Sequence, residues 1–367
     1  MDSIIWLPGK GGPVACLGIG APPKRPWRPG VRGREQARSG GGAGRHFRRG
    51  PLYRRLLGCA WRALTVNARV SLLQKVAQAT VGIHAVVPQS HPSVAVGLGA
   101  DRHGSGTIVG PDGLVITANY IVIGAQNVIV TLSDGRQLEA AVVAQDYATS
   151  IALLQVEGGG LGAIEPASSA DCVPGEEVFM VASLGGEKRC ADTGVISYLG
   201  PFDAAWEFVL DRAVCVTATS LNLGYNGGPL CNARGQMIGV SYLNFGDLSR
   251  AMLAIPAEYF IAARDELLRF GRRVTGAPRL WLGLLCYTLH DFVVIAGVVP
   301  GSPAEKAGLK PGDLVLAVDG VEIRHRRALY EAISRRQPGD ALALKLRRNR
   351  DVAAVKLTPI RVEEFMA

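Results

Sequence analysis

The sequence predicts a mainly β protein, a barrel or sandwich of short strands followed by a small α+β domain. Three observations predict it. Apolar residues make up 48% of the 367 positions and aromatics 6%, with 46 glycines, a balance that suits short strands and tight turns. Turn signals such as Pro111-Asp112-Gly113 and Ser133-Asp134-Gly135 recur between β-branched runs. Beyond residue 279 the rhythm changes to strands separated by two short helices. A chain of 367 residues exceeds one ordinary core and suits two or three domains.

Residues 1–65 read as a disordered basic segment. Pro22-Pro23-Lys24-Arg25-Pro26, Arg32-Gly33-Arg34 and Ser39-Gly40-Gly41-Gly42 offer little apolar area to offset chain entropy. Residues 1–75 hold 15 Lys and Arg against Asp2 and Glu35, a net +13, and the remainder carries −4. The overall +9 is therefore a property of the N-terminus and says nothing about what the domains bind. Three readings stay open for the segment: an unstructured tail, an organelle transit peptide, or RNA contact through Arg-Gly pairs. The second would place an intracellular chain in a mitochondrion or chloroplast. Nucleic-acid binding is not the expected role.

Residues 66–275 form the first globular unit. A short helix is predicted near Ala68–Val76, then strands at Leu114–Thr117 and Val128–Leu132, with further hairpins suggesting an all-β barrel or sandwich. Tyr259, Phe260, Ala263, Leu267 and Phe270 fall at helical spacing and predict a helix near Pro256–Arg273. Gly276-Ala277-Pro278 reads as a linker, and residues 279–362 as an independent domain. There Ser302-Pro303-Ala304-Glu305 is a capping box with Pro at the first helical position. A strand is predicted at Leu314–Val318, a second helix at Arg327–Arg336, and an alternating strand at Ala341–Leu346. No apolar run reaches the roughly 18 residues of a membrane helix, so no membrane span is expected. The seven cysteines contain no C-x-x-C pair. Zinc is not expected; the thiols read as small buried hydrophobes in a reducing compartment. His103 reads as a loop residue.

Three collinear stretches carry a resemblance. They are Gly104-Ser105-Gly106-Thr107 with Leu114–Val122, Ser150-Ile151-Ala152-Leu153-Leu154, and Gly224-Tyr225-Asn226-Gly227-Gly228-Pro229. Together they resemble the trypsin-like domain of the HtrA/Deg serine protease family. Trp281-Leu282-Gly283-Leu284 and Val298–Leu309 resemble that family's PDZ domain. The resemblance implies a trypsin-like double β-barrel followed by a small α+β PDZ domain. It also implies that Tyr120, Ser150 and Asn226 occupy the positions of the catalytic His, Asp and Ser, and that Gly224 and Asn226 retain the oxyanion turn.

Amide cleavage on this scaffold requires an activated hydroxyl, a base titrating near neutrality and a carboxylate to orient it. Asn226 offers no nucleophile, a phenol of pKa about 10 is a poor base at pH 7, and Ser150 carries no charge. Gly224, Gly227 and Gly228 would aim backbone N–H groups at a carbonyl oxygen, or simply hold a turn the barrel needs. Thr217, Thr219, Ser220, Cys215 and Cys231 are the neighbouring hydroxyls and thiols, yet no histidine falls between residues 104 and 289.

Leu282, Gly283 and Leu284 would present N–H groups to a peptide carboxylate, and the strand from Leu284 would pair with the ligand. Leu284, Leu329 and Ile333 would line an apolar pocket or belong to the core, and Trp281 would open the loop or pack on the preceding domain. The expected function is a non-catalytic homologue that binds hydrophobic C-terminal peptides or unfolded polypeptides. Expected assemblies are a homotrimer or a hetero-oligomer with active relatives. No cofactor or metal is expected. The alternatives are a serine endopeptidase in protein quality control, and a decayed gene copy.

Overall fold

The computed structural model describes residues 65–218, 223–245, 250–276 and 278–366. Of the segment 1–65, whose disorder the composition predicts, residues 1–64 lie outside these residues, as do Thr219 and Ser220, and Thr65 is ordered as a helix cap. Helix α1 (Val66–Ala79) starts at Thr65, whose side chain accepts the Ala68 N–H at 3.3 Å. It runs three residues further at its C-terminal end than the predicted segment. Val76 and Ala79 face the core, and Thr80 turns the chain into the first strand.

Six strands then close a barrel. They are β1 (Thr80–Val86), β2 (Asp101–Ile108), β3 (Leu114–Ala118), β4 (Asn127–Thr131), β5 (Gln137–Asp146) and β6 (Ile151–Val156), in the order β1-β2-β3-β6-β5-β4. All five residues of β3 are buried, because a strand inside a closed barrel packs on both faces where a second layer covers it. The one-turn helix α2 (Asn119–Val122) follows β3 directly. His103, read as a loop residue, lies instead in β2 and pairs with His84 of β1. The Gly104 and Gly106 that follow it look like turn residues, but they are small to admit Ile121, Ile83 and Val115 side chains across the strand.

A second six-stranded barrel follows: β7 (Glu177–Ser183), β8 (Arg189–Ala204), β9 (Phe208–Ala218), β10 (Pro229–Cys231), β11 (Met237–Asn244) and β12 (Ala251–Pro256), ordered β10-β11-β12-β9-β8-β7. Helix α3 (Ala257–Phe270) buries Phe260, Ala263 and Leu267 as the spacing predicts, whereas Phe270 is exposed at its C-terminal end. One apolar core runs through both barrels, from Val81 and Ile116 to Phe208 and Tyr242.

The C-terminal domain has its own core. Its sheet is β14 (Leu284–Leu289), β15 (Phe292–Val298), β16 (Leu314–Val318), β18 (Leu342–Arg348) and β19 (Asp351–Leu357), in that order, with β17 (Val321–Glu322) beside β16. β13 (Leu280–Trp281) pairs with β20 (Ile360–Arg361). Ser302 caps α4 (Pro303–Lys306) by accepting the Glu305 N–H at 3.2 Å, as the capping box predicts. Helix α5 (Arg326–Ser334) buries Leu329 and Ile333. Helix α6 (Val362–Met366) closes the described chain. Trp281 packs with Ile123, Tyr147, Val299, Val362 and Met366, an apolar cluster that seats this domain on the first barrel. Among the described residues, no helix is long and apolar enough to cross a membrane.

Candidate functional site

Tyr120, Ser150 and Asn226 come from three elements that meet where the barrels face each other. Tyr120 lies on α2, and Ser150 immediately precedes β6. The two segments are tied by the Asn119 N–H, which donates to the Ser150 carbonyl at 2.8 Å. The Arg102 guanidinium donates to the carbonyls of Tyr120 (2.8 Å) and Ile123 (3.0 Å), satisfying the open end of that one-turn helix. Asn226 sits in the turn before β10. Ser105 of β2 holds that turn twice: its N–H donates to the Asn226 carbonyl at 2.8 Å, and its hydroxyl donates to the Gly224 carbonyl at 2.6 Å. The next residue must be glycine. Gly227 has φ +85°, and a Cβ there would lie 2.1 Å from the Ser105 carbonyl oxygen.

Tyr242 links Tyr120 to Ser150. The Tyr120 hydroxyl donates to the Tyr242 carbonyl at 3.4 Å, and the Tyr242 hydroxyl donates to Ser150 Oγ at 3.2 Å. The Tyr120 and Tyr242 rings meet edge to face at 5.5 Å, and Tyr242 lies against Phe208 at 5.2 Å. Burial pushes the Tyr120 phenol far above its ordinary range, with the neighbouring Tyr242 adding to the effect and the Asn226 side chain opposing it. Burial also raises Tyr242. Both phenols are therefore neutral hydrogen-bonding groups at pH 7, not bases. Asn226 Oδ1 is buried with no hydrogen-bond partner among the described residues.

The nearest acid in sequence to Ser150 is Asp146, and it is already engaged. Its carboxylate accepts from the Ala148 and Thr149 N–H groups and the Thr149 hydroxyl, and pairs with Arg273 at 2.8 Å. Described histidines are committed elsewhere: His91 bonds Ser93 Oγ and the Met366 carbonyl, and His84 bonds Asp101. His290 and His325 belong to the C-terminal domain. Desolvation pushes the Cys215 thiol up to about 11 and Cys231 higher still, so neither presents a thiolate.

A backbone hydrogen bond closes the turn around Asn226. The Tyr225 carbonyl accepts from the Gly228 N–H at 2.9 Å. A trans peptide plane then directs the Asn226 N–H the opposite way, away from Gly228.

In the C-terminal domain, the loop residues Leu282, Gly283 and Leu284 do converge their N–H groups on one point. A carboxylate occupies it. Glu207, from the tip between β8 and β9, accepts from Leu282 at 3.0 Å, Gly283 at 2.7 Å and Leu284 at 2.8 Å. Gly283 has φ +88°, and a Cβ there would lie 2.2 Å from Ser302 Cβ. Burial pushes the Glu207 carboxyl up to about 7, against the three N–H groups and the Arg279 guanidinium that favour its charged form. Leu284, Leu329 and Ile333 are almost fully buried in the domain's core. The second barrel contributes Val209, from β9, to the same cluster.

Sequence reading missed Glu207, Tyr242, Arg279 and the anchoring role of Ser105. Their partners lie tens of residues away, so no local pattern marks them. A further cluster, His84, Asp101 and His103, has ligand atoms within 4.8 Å of one another on half-buried and exposed strand positions. The geometry suits a cation, but the His84–Asp101 bond of 2.6 Å also accounts for it.

A model described as "Trypsin-like peptidase domain" matches residues 104–240, and one described as "PDZ domain" matches 294–348. A probable periplasmic serine endoprotease, DegP-like, of Hahella chejuensis is 31% identical over 271 residues, covering 69% of this chain and 55% of that protein. The putative serine protease HhoA of Synechocystis sp. is 30% identical, covering 67% of each. The chain thus spans little more than half the length of the DegP-like relatives. Among solved structures, a serine endoprotease from Yersinia pestis matches with TM-score 0.50 at 24% identity, covering 81% of this chain and 98% of that one. An HtrA-type protease, AlgW, with a tripeptide matches at 0.50 and 23%, covering 79% and 96%. At that identity these two speak to the fold alone. The bacterial relatives named as periplasmic overturn the expectation of an intracellular chain sent to an organelle.

Proposed function

The chain belongs to the HtrA/DegP-like serine protease family, a trypsin-like peptidase domain with one PDZ domain, and on that premise we propose that this member holds peptides without cleaving them. One observation carries the reading. Tyr120, Ser150 and Asn226 meet at the junction of the barrels, Tyr120 and Ser150 linked through the neutral Tyr242 and Asn226 held by the Ser105 N–H. None of them supplies a nucleophile, a base or an orienting charge. In enzymes of this kind, losing the Ser or the His alone costs on the order of a million-fold. The PDZ loop, with three convergent N–H groups, supports recognition of a carboxylate-terminated or unfolded polypeptide. Assembly as a homotrimer or with active relatives is part of the same reading.

The relatives' names favour a second reading, a serine endopeptidase acting in protein quality control. The purified full chain separates the two. It is treated with a fluorescent fluorophosphonate and assayed on casein. No labelling and no cleavage is the expected result, and casein cleavage blocked by the fluorophosphonate would establish the endopeptidase instead.

A further inference from the structure

We propose that the β8–β9 hairpin tip, Asp203–Glu207, is an internal ligand of the PDZ groove, with the Glu207 side-chain carboxylate standing where a bound peptide's terminal carboxylate would sit. The proposal rests on the peptide-holding reading above and names the regulation of that same groove.

An extended peptide entering such a domain adds to a free sheet edge and places its carboxylate on a cradle of backbone N–H groups. Both parts of that recognition are already satisfied from within the chain. β14 is an edge strand of its sheet. Its Cys286 N–H donates to the Ala205 carbonyl at 2.8 Å, two residues before Glu207. The three N–H groups of Leu282, Gly283 and Leu284 go to the Glu207 carboxylate at 2.7–3.0 Å. These are charge-assisted bonds when Glu207 is ionised.

The opposite wall of the groove grips the hairpin as well. The Tyr330 hydroxyl of α5 donates to the Ala205 carbonyl at 2.7 Å. The Arg326 guanidinium pairs with the Asp203 carboxylate and donates to the Asp203 carbonyl at 2.8 Å. Arg327 donates to the carbonyls of Phe202 at 3.3 Å and Leu210 at 3.1 Å, one on each strand of the hairpin. Val209 adds an apolar side chain to the cluster containing Leu284, Leu329 and Ile333. Arg279 clamps the tip from behind, donating to the Trp206 carbonyl at 3.3 Å and the Glu207 carbonyl at 3.0 Å. Glu207 itself holds φ +56°, a backbone conformation uncommon for a residue with a side chain and kept here by its surroundings. The hairpin therefore occupies both the edge and the carboxylate cradle. An external peptide that uses its free C-terminus must displace it.

The test uses the full chain and two readouts. Hydrogen exchange is followed on the segment 282–286 in the parent, Glu207→Ala and Asp203→Asn. Capture is measured with a fluorescent random octapeptide pool bearing free C-terminal carboxylates, and with the same pool amidated. Exchange of the segment is expected to rise at least tenfold in Glu207→Ala and less in Asp203→Asn. Capture of the free-carboxylate pool, not the amidated one, should strengthen at least tenfold in Glu207→Ala. Exchange unchanged in both variants overturns the internal ligand, as does equally tight capture of the free pool by the parent. Faster exchange with no capture keeps the internal ligand and removes the peptide-holding reading. Should Glu207→Ala fail to fold, Glu207→Gln and Asp203→Asn carry the same comparison.

Discussion

The carboxylate of Glu207 accepts the Gly283 N–H at 2.7 Å across 76 residues of chain. The bond joins the second barrel to the PDZ loop and makes the state of one carboxyl group relevant to the whole groove.

That carboxyl is expected to make docking depend on pH. Its pKa moves from 4.5 to about 7 because burial penalises the charge. A carboxyl raised in the docked state binds a proton more readily there than in the released state. Docking is therefore strongest below about 4.5, weakens as pH rises from there to about 7, and is level above that. The groups facing Glu207 leave it as the titrating member. Cys286 and Tyr330 are pushed upward by burial and stay neutral, burial lowers Arg279, and Arg326 is ion-paired with Asp203. Protection of the 282–286 amides, corrected for intrinsic exchange, should fall between pH 5 and 7.5 in the parent and stay flat in Glu207→Gln. Equal slopes would remove Glu207 as the source.

Restoring the triad chemistry one residue at a time should do nothing. Asn226→Ser supplies a hydroxyl with no base, and Tyr120→His supplies a base with no orienting charge. Because triad members act as a unit, labelling by a fluorophosphonate should appear only when Tyr120→His, Ser150→Asp and Asn226→Ser are combined. Labelling of Asn226→Ser alone would point to a base that the present geometry does not identify.

The Asn226 turn should be intolerant of any side chain at its next residue. In Gly227→Ala the new Cβ would meet the Ser105 carbonyl and the Thr117 hydroxyl at a positive φ. A loss on the order of 3 kcal/mol is expected, read as a lower denaturant midpoint. A change within experimental error would mean the turn can move away from β2.

Leu329 separates pocket from core. It is fully buried with Leu284 and Ile333, so Leu329→Ala should cost about 2–5 kcal/mol of PDZ-domain stability. A variant of parental stability that binds peptides less well would make Leu329 a pocket wall instead.

Much of this architecture is legible along the chain. Helix α3 follows from Phe260, Ala263 and Leu267 falling on one face, and α4 follows from Ser302 and Glu305 at capping distance. Tyr120, Ser150 and Asn226 could be singled out because each lies inside a short motif whose spacing the backbone imposes. His103 was not legible as strand, because Gly104 and Gly106 beside it look like turn residues. In the fold they are small to admit neighbouring side chains across β2.

By itself, then, the sequence determined the two domain types, most helices and strands, and that Tyr120, Ser150 and Asn226 stand inside the motifs that carry the family resemblance. These are local matters of periodicity, turn residues and motif spacing. Only the tertiary structure decided what those residues touch and what fills the groove. Tyr242 bridges Tyr120 to Ser150 from about a hundred residues away, and Glu207 reaches Leu282, Gly283 and Leu284 from another domain. The physical reason is that a hydrogen bond depends on distance and direction in space. Closing two barrels and seating the PDZ domain on them brings together carboxylate and amide groups that no pattern along the chain relates.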